Sequence, residues 1–287
     1  MHAASRQALA TLRERLEAMI GQPADGLRER LEGLIGRGGG EELVRLAREL
    51  AAVVELLAGQ PRLRRVVADP STEPARRAEL IDRLLTGKIG DSALRVAREA
   101  ASMRWSAAWD LIDALELLAN DVLLIAAEQD NRLDQVEDEL FRFERILDGS
   151  AELSALLDEA AMPAERRVRL LDTVVANKVH PITRELLEHA VSSRRRHAID
   201  FAIDDLLDAA AKRRDRSIAK VTSAVELSAE QQNRLAEVLS EQYHRSISVR
   251  IAVDESVRGG LVVRIGDEVI DGSVAARLSQ VRRALTG

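Results

Sequence analysis

The 287-residue chain has no cysteine. That excludes a disulfide framework, thiolate zinc sites, iron–sulfur clusters and a cysteine nucleophile. Rings are scarce: Trp105, Trp109, Phe141, Phe143, Phe201 and Tyr243 are the full aromatic set. So few leave no stacking platform for nucleobases. Lysine is nearly absent too (Lys88, Lys178, Lys212 and Lys220), so arginine supplies almost all of the 42 basic residues. Against 48 acidic residues the net charge is −6, which argues against general nucleic-acid binding, where a basic face must displace counterions. No long apolar run occurs. The best candidate, 111–127, is broken by Asp113, Glu116 and Asp121, so no membrane span is expected. The stretch 1–20 carries Arg6, Arg13, Glu14, Arg15 and Glu17 and lacks the apolar region of a signal peptide. The expectation is a soluble protein that can sit beside a membrane through a partner.

At about 150 residues per domain, the length predicts two domains or three small ones. Residues 1–215 have helical periodicity. Leu9, Leu12, Leu16 and Met19 share one face, and Gly21 and Pro23 end that helix. Leu27, Leu31, Leu34 and Ile35 mark a second helix, which the Gly38-Gly39-Gly40 linker follows. Leu43, Leu46, Leu50, Val53 and Leu57 mark a third. Further helices are predicted near 62–68, 74–86, 91–103 and 105–127. Another starts near Asp130, with Leu133, Val136, Leu140, Phe143 and Leu147 on one face.

The texture changes near Ser217. Ala219, Val221, Val225 and Leu227 share a face of a predicted strand over 218–227. Ile247, Val249, Ile251 and Val253 alternate with polar or small residues, and Leu261, Val263 and Ile265 do so again. Gly266-Asp267 then supplies a two-residue hairpin turn. Between the first two strands, Ser228 and Gln231 form a capping box that opens a helix with Leu235, Val238, Leu239 and Gln242 or Tyr243 on its apolar face. A last helix is predicted from Ser273, with Val274, Leu278, Val281 and Leu285 on one face. The fold class is mainly α: two tandem helical bundles, then a small α/β C-terminal domain.

Displaced by 90 residues, the helical region lies on itself. Leu56-Leu57-Ala58-Gly59 faces Ile146-Leu147-Asp148-Gly149, Arg76-Arg77 faces Arg166-Arg167, and Leu80-Ile81-Asp82 faces Leu170-Leu171-Asp172. Lys88 faces Lys178, and Ala108 and Asp110 face Ala198 and Asp200. About a dozen identities fall in roughly 56 ungapped positions. Shared periodicity explains the leucines but not the matched Gly, Lys, Arg-Arg and Asp, so a duplication is expected.

No catalytic constellation is found, and no cofactor or metal site. Thr86-Gly87-Lys88-Ile89 fails as a phosphate loop: Asp82 stands at the first glycine position, and Ile89 replaces the hydroxyl residue. The triple glycine follows no strand, so it is not a dinucleotide loop. His2, His180, His189, His197 and His244 have no metal-binding spacing and read as surface or capping residues. The carboxylates read as solvated helix faces. Two basic runs, 194–197 and 212–216 (Lys212, Arg213, Arg214 and Arg216), suit an anionic partner or a helix end, and acidic neighbours dilute both. Near the end, Gly259-Gly260 enters a strand, and Asp271-Gly272-Ser273 opens the last helix. Asp271 or Ser273 is placed to cap it.

These last residues carry a resemblance. Val221-Thr222-Ser223-Ala224 leads to Leu227-Ser228 and a Gln-rich helix. Later come Gly259, Gly260, Gly266, Asp267, Asp271, Gly272, Ser273 and Arg277 in one run. The pattern resembles the delta subunit of F-type ATP synthases, the counterpart of the mitochondrial oligomycin-sensitivity-conferring protein. Residues about 130–210 resemble that family's helical bundle, and the repeat extends the likeness to about 45–128. The whole is similar to the long actinobacterial form with a duplicated bundle. Val257-Arg258 departs from the family's usual apolar pair before the double glycine. The resemblance implies a leader (1–40), bundle copy 1 (41–128), bundle copy 2 (129–215) and an α/β domain (216–287). It implies a non-catalytic stator subunit on the cytoplasmic face of the cell membrane. Its partners would be N-terminal segments of the α subunit and a separate b-type stalk chain, with the eight motif residues in structural or partner-binding roles. The alternative is a helical adaptor binding an anionic partner, such as nucleic acid, through the Arg-rich runs.

Overall fold

Helices dominate the first two thirds of a computed structural model of the chain, which describes residues 1–21, 39–159, 161–176, 178–192, 198–216, 218–243, 247–254, 257, 259–265 and 268–272. The helices are α1 (Ala3–Gly21), α2 (Gly39–Gly59), α3 (Pro61–Val67), α4 (Pro74–Leu85), α5 (Asp91–Ser102), α6 (Ala108–Gln129), α7 (Leu133–Asp148), α8 (Ala151–Leu157), α9 (Ala164–Val175), α10 (Pro181–Ser192) and α11 (Ile199–Arg216). Prolines open α3 and α4, where the missing N–H costs nothing. The Ser150 hydroxyl caps α8 by accepting from the Leu153 N–H at 3.3 Å. The chain forms two units, Met1–Leu207 and Asp208–Gly287.

The expected linker at the triple glycine is corrected in part, because Gly39 and Gly40 already belong to α2. A Cβ on Gly40 would come within 2.7 Å of the Asp130 carboxylate just past α6, so glycine permits a close approach there. Gly38, the helix expected over 27–35 and the helix expected from Ser273 lie outside the described residues.

The repeat reappears as architecture. Helices α3, α4 and α5 begin 90 residues before α8, α9 and α10 respectively. Buried pairs at the same displacement are Leu50/Leu140, Leu57/Leu147, Ile81/Leu171 and Val96/Leu186. Arg77 and Arg167 also correspond, and each has a buried Nε without a hydrogen-bond partner. The match slips by one residue in the last helix. Ile112, Leu115 and Ala119 of α6 answer to Ile203, Leu206 and Ala210 of α11. Asp110 therefore does not share the environment of Asp200: it is buried, and Asp200 is exposed.

Helix α6 is buried on every side, from Leu111 and Ile112 through Leu118 and Val122 to Ala126 and Ala127. An apolar girdle of that kind needs neighbours all round. It has them: α2 and α5 pack on it from the first half, and α7 and α10 from the second. Asp113, Glu116 and Asp121 interrupt its apolar run, and Asp121 accepts from Arg13 Nε of α1 at 2.7 Å. No helix among the described residues is long and apolar enough to cross a membrane.

Among the described residues the second unit has a four-stranded sheet with a helix: β1 (Ile218–Ser223), α12 (Ala229–Tyr243), β2 (Ser248–Val253), β3 (Leu261–Ile265) and β4 (Glu268–Asp271). The strand order is β2-β1-β3-β4, with β1 and β2 parallel and the other pairs antiparallel. Ala219, Val221, Leu239, Ile247, Val263 and Ile265 form its core. Strand β1 is shorter than expected. The Ser223 hydroxyl accepts from the Val225 N–H at 3.3 Å, turning the chain and leaving Val225 exposed. Val238 is likewise half exposed rather than part of the apolar face of α12. The capping box forms: the Ser228 N–H donates to Gln231 Oε1 (2.9 Å), and the Gln231 N–H donates to Ser228 Oγ (3.2 Å).

Candidate functional site

Carboxylates that read as solvated helix faces turn out to include structural anchors. Glu139 of α7 is buried; it accepts from the His180 N–H (2.7 Å), Thr183 Oγ1 (2.5 Å) and Gln135 Nε2 (2.8 Å), tying α7 to the start of α10. Burial works against its charge, but the hydrogen bonds from Thr183, Gln135 and His180 outweigh it and lower its pKa. Glu49 does the corresponding work in the first half, accepting from the Gly90 N–H at 3.0 Å. Asp110 accepts from Ser5 Oγ at 2.7 Å, and that same oxygen accepts from the Ser106 N–H at 2.8 Å, so α1 is fastened to the start of α6. Isolated buried carboxylates are costly, so each has its donors.

A second polar cluster bridges the halves. Arg48 of α2 donates through Nε to Glu185 of α10 at 3.0 Å. One turn on, His189 Nδ1 lies 2.9 Å from Asn120 Oδ1 of α6. His189 is therefore not a surface or capping residue; burial lowers its pKa. His180 does act in a cap, its Nδ1 accepting from the Ile182 N–H at 3.3 Å. Arg64 lies over the Trp109 ring at 3.9 Å.

The glycine segment is built by backbone geometry. Gly259 and Gly260 have φ of 75° and 84°, a region that L side chains rarely adopt, and so turn the chain into β3. The Gly272 N–H donates to the Leu261 carbonyl at 2.9 Å, closing the β3–β4 pair beyond Asp271. Asp271 thus ends a strand. Ile265 lies opposite Glu268, which leaves two residues between the strands. Gly266, Asp267, Ser273 and Arg277 lie outside the described residues. Of the basic runs, 194–197 also lies outside them. Lys212 is 3.9 Å from Asp208, and Arg213 and Arg214 are both engaged. Among the described residues no group of three or more His, Asp or Glu could hold a metal ion.

What the fold and these contacts define is a helical scaffold, with carboxylates and cations used as caps and braces between helices. The family model for the ATP synthase delta (OSCP) subunit matches residues 119–285, beginning inside α6. ATP synthase subunit delta of Streptomyces griseus is 39% identical over 287 residues, covering 100% of both chains. The Streptomyces coelicolor protein of the same name is 40% identical, over 99% of this chain and 98% of its own. A chain in the cryo-EM structure of the Toxoplasma gondii mitochondrial ATP synthase shares 20% identity over 60% of this chain, with a TM-score of 0.32. The chain belongs to the ATP synthase delta (OSCP) family.

Proposed function

We propose that the chain links the α3β3 head of an F-type ATP synthase to a b-type stalk, so that the head resists rotor torque during proton-driven synthesis. Its role is that of a stator subunit. The observation that carries this is the full-length similarity to ATP synthase delta subunits together with the family match over 119–285. The role is non-catalytic, and the place is peripheral, at the cytoplasmic face of the cell membrane. The proposed division is a leader (1–40), two bundle copies (41–128 and 129–215) and the α/β region (216–287). The bundles take N-terminal segments of α, one groove per copy, by helix-in-groove docking. The α/β region, with the Gly259–Arg277 motif, meets the b stalk. Two linked grooves raise the effective concentration of each second contact.

Co-purification of the tagged full chain with α- and b-type subunits tests the assignment; their absence from a gently solubilised complex overturns it. Titration with an α N-terminal peptide tests the groove count. Two sites per chain are expected, and a stoichiometry of one removes the first copy from that role.

A further inference from the structure

The sheet of the second unit has one covered face and one open face. Successive side chains of a strand point to opposite faces, and directly opposed residues on neighbouring strands share a face. Ala219, Val221, Val263 and Ile265 lie in the core with Leu239 of α12. Lys220, Thr222, Val262 and Arg264 therefore belong to the other face. The register sets Lys220 opposite Arg250 of β2 on one side and opposite Arg264 of β3 on the other. Arg250, Lys220 and Arg264 thus stand in one row across three strands, and all three are exposed.

Like charges directly opposed in a sheet are destabilising. Here two such pairs share Lys220, one of four lysines in a chain of net charge −6. Among the described residues none of the three side chains forms an ion pair or a hydrogen bond. Asp271, opposite Val262, is the carboxylate that the register places on this face, one row along, and it is already engaged. The chain's own end offers no counter-charge: 274–287 carries Arg277, Arg282 and Arg283 and no Asp or Glu. Beside the basic row lies a row of small and apolar side chains. The same register aligns Ala252, Thr222 and Val262, the first exposed and the other two half-buried. Val269, opposite Arg264, is 49% exposed at the end of the basic row.

Neighbouring strands are about 4.8 Å apart, close to the roughly 5.4 Å rise of one helical turn. Carboxylates at i, i+4 and i+7 of a helix lying across the strands fall in step with the three cations. Side chains on one face of an extended segment are about 6.8 Å apart and fall out of step. Neither row contains an aromatic ring, so nothing there stacks a nucleobase.

We infer that the open sheet face docks an acidic amphipathic helix of a partner chain. Its carboxylates lie over Arg250, Lys220 and Arg264, and its apolar stripe lies over Ala252, Thr222 and Val262. Charge complementarity selects the partner, because a basic helix would add repulsion to a row already carrying it. The inference does not rest on the stator assignment: the chain can co-purify with synthase subunits while this face stays bare.

The test uses the full chain and two fluorescent synthetic helices with the same leucine stripe, one flanked by glutamate and one by arginine. Anisotropy should show binding of the glutamate peptide alone, weakening as salt rises. Lys220→Glu should weaken it about tenfold or more. The thermal midpoint of that variant should hold or rise, because opposite charges then face each other across the strands. This second readout separates a lost surface from a lost fold. Arg250→Gln with Arg264→Gln should weaken binding as strongly, and either variant alone suffices for the test. Reversing all three charges (Lys220→Glu, Arg250→Glu and Arg264→Glu) should transfer binding to the arginine peptide. Equal affinity for both peptides, no binding of either, indifference to the substitutions, or tighter binding of a thymidine oligonucleotide than of the glutamate peptide overturns the inference.

Discussion

Glu49 and Glu139 hold equivalent places in the two halves, and each carboxylate accepts the backbone N–H that lies 41 residues downstream: Gly90 at 3.0 Å and His180 at 2.7 Å. The same tie between the second and fifth helices of each half survives although few side chains around it are conserved between them. It fixes where α5 and α10 begin.

The two ties differ in strength. Glu139 is buried and has Thr183 and Gln135 as further donors, so Glu139→Ala strands buried polar groups and should cost about 2–3 kcal/mol. Glu49→Ala loses a less buried contact and should cost about 1 kcal/mol. Urea unfolding of the full chain measures both. The pH sign follows from the lowered pKa of Glu139. Its ordinary value is 4.5, so its contribution is complete above that pH and is lost as the pH falls through the depressed folded value. Glu139→Gln should flatten the acid limb of the stability curve.

The Glu144–Asp204 pair has the opposite sign. Burial raises the pKa of Glu144 first, and the neighbouring carboxyls of Asp204 and Asp148 raise it further. A raised carboxyl contributes stability fully below its unfolded pKa and loses it as the pH rises through the folded value. Asp204→Asn should therefore stabilise the free chain at neutral pH by about 0.5 kcal/mol, with less gain in high salt. Thermal midpoints at two pH values decide it; destabilisation at neutral pH would contradict the repulsion.

Much of this was legible in the sequence. Periodicity located α4 and α5 to within a residue or so, and the spacing of Ser228 and Gln231 announced the capping box that forms. The acidic anchors were not legible. Glu139 and Asp110 look like any other carboxylate on a helix, and only the tertiary arrangement brings Thr183 and Ser5 to them. His189 was missed for the same reason: a lone histidine carries no sign of the asparagine on another helix. Strand β1 was read too long because Val225 and Leu227 continue its alternation, and the Ser223 hydroxyl that turns the chain leaves only a weak local signal. Nor does periodicity show that α6 serves both halves. It detects an apolar run but not how many neighbours share it.

Arg48 and Glu185 join the halves across α2 and α10, with Arg48 side-chain exposure of 61% and Glu185 of only 11%. A double-mutant cycle on Arg48→Ala and Glu185→Ala should give a coupling of about 1 kcal/mol, at the upper end for a partly solvated pair. Glu185→Ala alone should cost more than Arg48→Ala, because the buried partner gives up more. Zero coupling would mean that this pair adds nothing to the packing on α6 and the His189–Asn120 contact that also join the halves.

The strongest consequence of a shared α6 concerns where the chain can be cut. A boundary after residue 128 gives the second half no α6, although α7 and α10 pack directly on it. A fragment over 129–216 would then expose the faces of α7 and α10 that α6 covers. At about 25 cal/mol per Å² of apolar surface, exposing about 300 Å² of those faces costs about 7 kcal/mol, comparable with the 5–15 kcal/mol that stabilises a typical domain. Fragment 108–216 retains α6 and should unfold cooperatively in urea. Fragment 129–216 should show no cooperative transition and should bind a hydrophobic dye. A sharp transition in the shorter fragment, matching that of the longer one, would show that α6 is dispensable to the second half.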